Sequence, residues 1–348
     1  MKRVSVGKLY EFACKALMHY GMNAGDAEVT ARTLVTTDTF GVLSHGTKNL
    51  CQYIQKIQAG GIDPKAKPAI LREGPAWAIL DGKRAMGMVS ACRGMALAVE
   101  KARKTGIAYV GVRNSCHFGA AGYYANLAAA QGMIGIAMSN ADPNMAIPGS
   151  RDVAIGNNPF SFAVPVRSGE SIFLDIALSN VAALKVVMAK ERGEQVPLGW
   201  LIDDQGVPTT DPSGFPHDSH LLPMAAHKGY GLAVMVESLA GLLTGAGMLG
   251  EVSSWNLNLA SPNNAGHAFI AIDCAQMMPP ERFGDRVEQM ARELHDAPKG
   301  QGTEKIFLPG EMEWAKRRKA LEEDAIELTQ AMADSLIKLS GMCGIPLE

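Results

Sequence analysis

Three short apolar runs, separated by helical segments, occupy the stretch from residue 76 to residue 140. The runs "AWAILDG", "IAYVGVRNS" and "MIGIAMSN" begin at residues 76, 107 and 133, and each has the length and composition of a strand. Helical patterns fill residues 90–106 and about 120–131 between them. Strands that alternate with helices build layers in which the helices cover a sheet. The sequence therefore predicts an α/β fold with polar loops at the strand ends.

Helical patterns also dominate both ends of the chain. The other predicted helices are 6–20, about 25–40, about 45–59, about 180–191, about 228–247 and about 311–340, and the other predicted strands are 159–166, 171–178 and 267–274. Residues 203–218 form a loop rich in proline, glycine and aspartate. We divide the chain into an N-terminal helical part (1–75), an α/β core (76–309) and a C-terminal helix (310–348) that packs with the N-terminal part.

One segment, "GYGLAVMVESLAGLLTGAGMLG" at 229–250, is apolar enough to suggest a membrane span. Glu237 lies near its middle, where a charge in lipid is costly. A helix in the core of a large protein needs the same apolar composition. We therefore expect a buried helix.

Composition excludes several classes of function. The 348 residues carry a formal net charge of −2, so no strong field favours a nucleic acid or an anionic membrane as partner. The six cysteines are scattered without a CxxC pair or a zinc-like spacing, which predicts free thiols and no metal site. Glu11 and Lys15 interrupt the first apolar run, so no secretory signal is expected. A cytoplasmic location fits these observations.

His117 lies in "RNSCHFGAAGYYAN", just past the second predicted strand. The interpretation of Cys116 and His117 as a catalytic dyad of nucleophile and base is weak, because neighbouring side chains of an extended segment point to opposite faces. Loops after strands carry reactive groups in α/β proteins, and the small residues that follow would let a ligand approach closely. A helix cap or a core histidine is the alternative, which spacing alone slightly favours.

A second polar cluster is "SHGTKNLCQY" at 44–53. If Ser44 caps a helix, His45, Asn49 and Tyr53 lie along one face of it, with Lys48 at the edge. Such a row could line a pocket for a small polar anion. A solvated helix face is at least as good an interpretation.

A third cluster is "HKGYGLAVMVE" at 227–237, where Lys228 and Gly229 stand at a predicted helix start. Free N–H groups at such a start suit an anion. The segment is neither a Walker loop nor a GxGxxG after a strand, and most glycines in such a place only permit close packing.

Taken in order, these clusters and several others resemble the type 2 malate/L-lactate dehydrogenase family. The match runs from about residue 5 to residue 345 and includes "SHG" (44–46), His-x-Gly-Ala (117–120), "IPGSRDVAIGNNPFSFAVP" (147–165), "LDIALS" (174–179), "GWLIDDQGVPTTDP" (199–212), "HKGYGLAVMVESLAGLLTGA" (227–246) and "LPGE" (308–311). The resemblance implies an NAD(P)-dependent oxidoreductase outside the Rossmann class. Its fold would have a mixed central sheet with flanking helices, a nicotinamide-binding core and a helical part from both chain ends.

The resemblance also implies roles for single residues. His117 would exchange a proton with the substrate oxygen, and Ser44 and His45 would line the substrate pocket beside the nicotinamide. Histidine suits that role because its reference pKa lies near neutral pH. Lys48, Asn49 and Tyr53 are the expected substrate-binding residues. The expected cofactor-binding residues are Asn140, Ala141, Asp175, Ile176, Ala177, Lys228, Gly229, Gly302, Thr303 and Glu304.

Asn49 departs from the family, whose members commonly carry an arginine there that can bind the substrate carboxylate. Asparagine supplies no charge, so a bidentate ion pair is lost. Three interpretations follow: the substrate lacks the usual carboxylate or is larger, Lys48 or another cation such as Arg151 binds it, or activity is reduced. The second is the most economical.

The sequence thus predicts a dehydrogenase that interconverts a small 2-hydroxy acid and its 2-oxo acid, malate-like or lactate-like. The cofactor is NAD or NADP, with NAD favoured, and the family implies a homodimer with its active site near the subunit boundary. The alternatives are a reductase of cyclic imines of the piperideine-2-carboxylate type and a silent homologue that binds cofactor without turnover.

Overall fold

The structure of the protein is a computed structural model, which describes residues 2–347. Its helices are α1 (Val6–His19), α2 (Ala24–Thr39), α3 (Leu50–Gln58), α4 (Gly87–Thr105), α5 (Ala121–Ala129), α6 (Ala183–Arg192), α7 (His227–Val236), α8 (Cys274–Met277), α9 (Pro280–His295), α10 (Glu311–Glu322) and α11 (Gln330–Cys343). Most of these helices were predicted within a few residues, whereas α8 and α9 were missed.

The strands form one large sheet and two small ones. They are β1 (Lys2–Val4), β2 (Ala69–Gly74), β3 (Trp77–Asp81), β4 (Ile107–Ser115), β5 (Met133–Ser139), β6 (Met145–Ala146), β7 (Val153–Ile155), β8 (Phe160–Val164), β9 (Ile172–Ile176), β10 (Leu201–Asp203), β11 (Pro208–Thr209), β12 (Ser219–Leu221), β13 (Ala265–Asp273) and β14 (Ile326–Leu328). The large sheet has the order β2-β3-β4-β13-β5-β8-β9.

The large sheet is mixed rather than parallel. Among its described strands β3 and β4 run parallel, and each of the other neighbouring pairs is antiparallel. A Rossmann fold has a mostly parallel sheet, with the cofactor at the point where the strand order reverses. The predicted α/β fold with a mixed sheet outside the Rossmann class is therefore confirmed.

Helices cover both faces of the sheet because the side chains of its strands alternate between them. On β13, Phe269 packs with α4 and α5, and Ala268 packs with α7 on the opposite face. Gly94 of α4 leaves room for the Phe269 ring, whose nearest atom lies 2.6 Å from where a β-carbon would stand. These two layers fix β4 and β5, whose carboxyl ends reach the site described below.

The two ends of the chain meet in one hydrophobic cluster, to which α1, α2, α3 and α11 contribute. β1 pairs with β14 in an antiparallel two-stranded sheet. The predicted single helix over 311–340 is wrong, because β14 separates α10 from α11. Asp324 adopts a left-handed φ of 43°, which breaks the helical path. Thr329 then starts α11 by accepting a hydrogen bond from the Met332 N–H.

The apolar segment 229–250 forms α7 and a following π-helical turn, Glu237–Leu242. Counting the π-helical turn, the helical path ends at Leu242, about one turn before the predicted end at about residue 247. It is also not fully buried, since Leu242 and Leu243 are 57% and 58% exposed. Within residues 2–347 no helix combines the length and the apolar composition needed to cross a membrane.

Candidate active site

A cleft of about 670 Å³ opens where the helical part meets the end of the large sheet. Its lining residues fall within 42–48, 117–121, 139–144, 157–159, 173–177, 182–184, 255–265 and 309–313. Of the predicted site residues, the cleft wall contains Ser44, His45, Lys48, His117, Asn140, Ala141, Asp175, Ile176 and Ala177. Segments that are far apart in the sequence thus converge on one cavity.

His117 is held in the cleft wall from two sides. Its Nδ1 lies 2.5 Å from the Tyr53 hydroxyl, and its ring stacks on Trp255 with centroids 4.4 Å apart and an angle of 9°. Nε2 has no hydrogen-bond partner within residues 2–347. Burial, and then the nearby His45 and His267, lower the pKa of His117 well below its ordinary value. The ring is therefore neutral at pH 7 and has one nitrogen free for a ligand.

Cys116 plays no part in this arrangement. Its thiol is 1% exposed and packs in the cluster of the two chain ends. Burial raises the pKa of Cys116 to about 12, so the thiolate is absent at neutral pH.

Ser44 and His45 stand together in a turn before α3. The Ser44 hydroxyl lies 2.8 Å from His45 Nδ1, and burial lowers the pKa of His45. The prediction that Ser44 caps a helix is wrong. The chain first forms a 3₁₀ turn, Thr47–Asn49, whose N-cap is Gly46, and α3 begins only at Leu50.

Asp38 anchors this turn from beneath. Its Oδ2 accepts hydrogen bonds from the Thr47 N–H at 3.0 Å and from the Thr47 hydroxyl at 2.6 Å. Gly46 is required there, because a β-carbon would lie 1.8 Å from Asp38 Oδ1. Burial raises the pKa of Asp38 to about 7. This buried carboxyl group therefore determines where the turn presents its side chains to the cleft.

Tyr53 and Asn49 do not line the cleft. Tyr53 is fully buried behind His117, and burial keeps its phenol un-ionised by raising its pKa well above the ordinary value. Asn49 donates from Nδ2 to the Ser44 carbonyl oxygen at 2.9 Å and lies on a neighbouring groove. Lys48 lines both cavities. The predicted row of residues on one helix face is thus split between two places.

Asp175 joins the end of β9 to the start of α5. Its Oδ2 accepts a hydrogen bond from the Gly122 N–H at 2.8 Å, and a β-carbon at Gly122 would lie 2.8 Å from that oxygen. Burial raises the pKa of Asp175 to about 6. The cleft also receives the starts of α5 and α6, whose N-caps Ala120 and Ala182 offer no side-chain hydrogen bond. At the start of α5 the Gly122 N–H is already taken by Asp175, so the start of α6 is the one that offers N–H groups to an anion.

A buried carboxylate, Glu237, supports the wall opposite the histidines. Its Oε1 accepts from Asn140 Nδ2 at 3.2 Å and from the Leu249 N–H at 2.9 Å, and its Oε2 accepts from Asn158 Nδ2 at 2.9 Å. Asn158 in turn accepts from the Ala141 N–H at 3.0 Å. Glu237 thus fixes two asparagines and, through them, the backbone that lines the cleft after β5.

The other predicted cofactor residues lie outside the wall. Gly229 packs behind it, because a β-carbon there would lie 3.0 Å from the Leu178 carbonyl oxygen. Lys228 is exposed, and so is the loop Gly302, Thr303 and Glu304.

Several lining residues were not predicted. Trp255, Asn256, Asp142 and Glu313 all border the cleft. Trp255 and Asn256 come from a loop without helical or strand periodicity. No local signal in the sequence marks them as neighbours of His117.

Comparisons with known proteins show the family to which the chain belongs. The family model described as malate/L-lactate dehydrogenase matches residues 4–337. A malate dehydrogenase of Pyrococcus abyssi is 37% identical over 320 residues, which cover 89% of this chain and 86% of that protein. An NAD(+) ureidoglycolate dehydrogenase of Escherichia coli is 33% identical over 335 residues, which cover 96% and 95%.

Solved structures give the same result. The sulfolactate dehydrogenase of Methanocaldococcus jannaschii superimposes with a TM-score of 0.93 at 32% identity, covering 99% of this chain and 98% of that one. The chain therefore belongs to the malate/L-lactate dehydrogenase family of oxidoreductases.

Proposed function

We propose that this protein is an NAD(P)-dependent dehydrogenase that interconverts a 2-hydroxy acid and its 2-oxo acid in the cleft, with His117 as the acid and base. The observation that carries the proposal is the position of the His117 ring, held at Nδ1 by Tyr53 and stacked on Trp255, with Nε2 free in the cleft wall.

The cleft fits a nicotinamide dinucleotide. Its volume of about 670 Å³ is large enough for a cofactor-sized molecule. The start of α6 presents N–H groups to which a pyrophosphate can bind. Ile176 and Ala177 supply an apolar strand end, and Asn140 and Ala141 supply a polar wall held by Glu237. When bound, the nicotinamide accepts or gives a hydride.

His117 moves the proton that accompanies hydride transfer. In the oxidation direction the hydroxyl proton of the substrate passes to Nε2, while Nδ1–H donates to the Tyr53 oxygen. In the reduction direction the protonated ring returns the proton to the new alkoxide oxygen. Trp255 excludes water from one ring face and keeps the orientation fixed.

Lys48 provides the cation for the substrate carboxylate in this proposal. Among the described residues that line the cleft it is the single lysine or arginine. Arg151, the other candidate, is exposed and lies outside the wall. Ser44 and His45, which lie beside Lys48, add hydrogen bonds to the substrate.

The test is oxidation of NADH and NADPH, followed by absorbance, with a panel of 2-oxo acids and a cyclic imine acid. We expect turnover of at least one 2-oxo acid. Turnover confined to the imine would identify an imine reductase instead. Binding of either cofactor without any turnover would identify a silent homologue.

We also propose a homodimer that covers the exposed face of α7. Leu232 is 39% exposed there, and Leu242 and Leu243, beyond the end of α7, are 57% and 58% exposed. Large apolar side chains exposed together usually mark an interface. We expect light scattering to give the mass of a dimer, and the double change Leu242→Glu and Leu243→Glu to give a monomer. A monomeric unsubstituted protein would refute this assembly.

A further inference from the structure

A second groove, of about 480 Å³, lies beside the cleft. Its walls come from α3, from α11 and from the loop that carries Trp255. Lys48, Trp255 and Asn256 line both cavities and form the wall that the groove and the cleft share. We define this cavity as the side groove.

The walls of the side groove are tied together by hydrogen bonds. Gln52 of α3 donates from Nε2 to the Asn256 carbonyl oxygen at 2.7 Å. The Ser335 hydroxyl of α11 donates to the Lys48 carbonyl oxygen at 2.6 Å. The side groove is therefore a feature of the folded chain, built by elements from both ends.

The side groove is polar and has an excess of positive charge. Lys48 and Lys338 line it, and neither forms an ion pair within residues 2–347. Asp334 is the single acid among its described lining residues, and its Oδ1 accepts a hydrogen bond from Gln330 at 2.7 Å. Such a surface suits an anion rather than an aliphatic chain.

Asn49 leaves the side groove open. It lines the groove, its side chain is short, and its amide is turned back onto the Ser44 carbonyl oxygen at 2.9 Å. Asn49 therefore does not fill the space that a long substrate, reacting at His117 and crossing the shared wall, would occupy in the side groove.

We infer that the side groove binds the far end of the substrate and selects a long acid that ends in a second anionic group, which Lys338 contacts. This inference rests on the proposed function, since it concerns the same reaction. It makes Lys338 a specificity-determining residue at the end of the substrate that does not react.

The experiment compares two six-carbon 2-oxo acids, one ending in a carboxylate and one ending in a methyl group. The readout is the ratio of their kcat/KM values. We expect this ratio to favour the acid with two carboxylates, and Lys338→Glu to lower the ratio about tenfold, because an attraction is replaced by a repulsion between exposed charges. Asp334→Asn should raise the ratio, because it removes the negative charge that lines the groove. Added salt should weaken the effects of both substitutions.

Lys65→Glu is the matched control, because Lys65 is exposed and lies outside both cavities. It makes the same change of charge and should leave the ratio as it is. Turnover of 2-oxo acids with a ratio that Lys338→Glu does not alter would overturn the side-groove inference alone. Failure of the unsubstituted protein to reduce any 2-oxo acid would overturn the proposed function as well.

Discussion

Replacing His117 by glutamine should lower kcat for 2-oxo acid reduction by a factor of about 10²–10⁴, the usual contribution of a positioned acid or base. Glutamine keeps a polar group that can hydrogen-bond to Tyr53, but it cannot exchange a proton near neutral pH. The rate is measured at saturating cofactor and substrate. Cofactor binding, followed by fluorescence, should change little, because the start of α6 stays in place.

The matched control is the neighbouring Cys116→Ala, which removes a buried thiol outside the cleft and should keep most of the activity. A loss of less than tenfold in His117→Gln would contradict the proton-transfer role. So would an equal loss in both variants, since that would point to a general disturbance of the segment.

The pH dependence gives a second check on the same residue. Burial holds the pKa of His117 below its ordinary value, so the ring is the free base at pH 7. For hydroxy acid oxidation, kcat/KM should therefore be constant near neutral pH and fall as the pH drops through that lowered pKa. For 2-oxo acid reduction, kcat/KM should instead rise as the pH drops through the same range, because the protonated ring is the acid. In His117→Gln both trends should be absent.

Local patterns in the sequence explain why much of the fold was predictable. The strands β3, β4 and β5 and the helices between them follow from apolar periodicity within short windows. The place of β13 in the sheet does not follow from such patterns. This strand, residues 265–273, lies between β4 and β5, which are far from it in the sequence, and only the folded chain brings the three together. The split between α10 and α11 was missed for the same reason, since β14 is stabilised by pairing with β1.

The candidate site was predictable where the resemblance supplied motifs. His117, Ser44 and His45 converge as expected, and this convergence could not be derived from spacing alone. Trp255 and the place of Tyr53 behind His117 escaped prediction, because stacking and burial depend on tertiary contacts. Glu237 was noticed as a charge in an apolar segment, yet two of its partners, Asn140 and Asn158, lie on other segments.

Glu237→Ala should destabilise the fold by about 2–4 kcal/mol, because it removes one partner from each of the buried Asn140 and Asn158 side chains and leaves the Leu249 N–H without its acceptor. Urea unfolding measures the change. The same substitution should weaken cofactor binding, since Asn158 holds the Ala141 N–H in the cleft wall. Stability and cofactor affinity should therefore fall together, although Glu237 does not line the cleft itself.

Glu251→Ala is the matched control for this effect. Glu251 is an exposed carboxylate in a nearby turn that accepts a hydrogen bond from the Met248 N–H, so its loss should cost no more than about 0.5 kcal/mol. Glu237→Gln separates charge from shape, because the amide places a donor against groups that already donate, and it should also destabilise the fold. If Glu237→Ala unfolds at the same urea concentration as the unsubstituted protein, the asparagines are held by their other partners, Gly247 and Ala233. If stability falls while cofactor affinity is unchanged, the wall after β5 does not contribute to the cofactor site, and the proposed contacts at Asn140 and Ala141 are wrong.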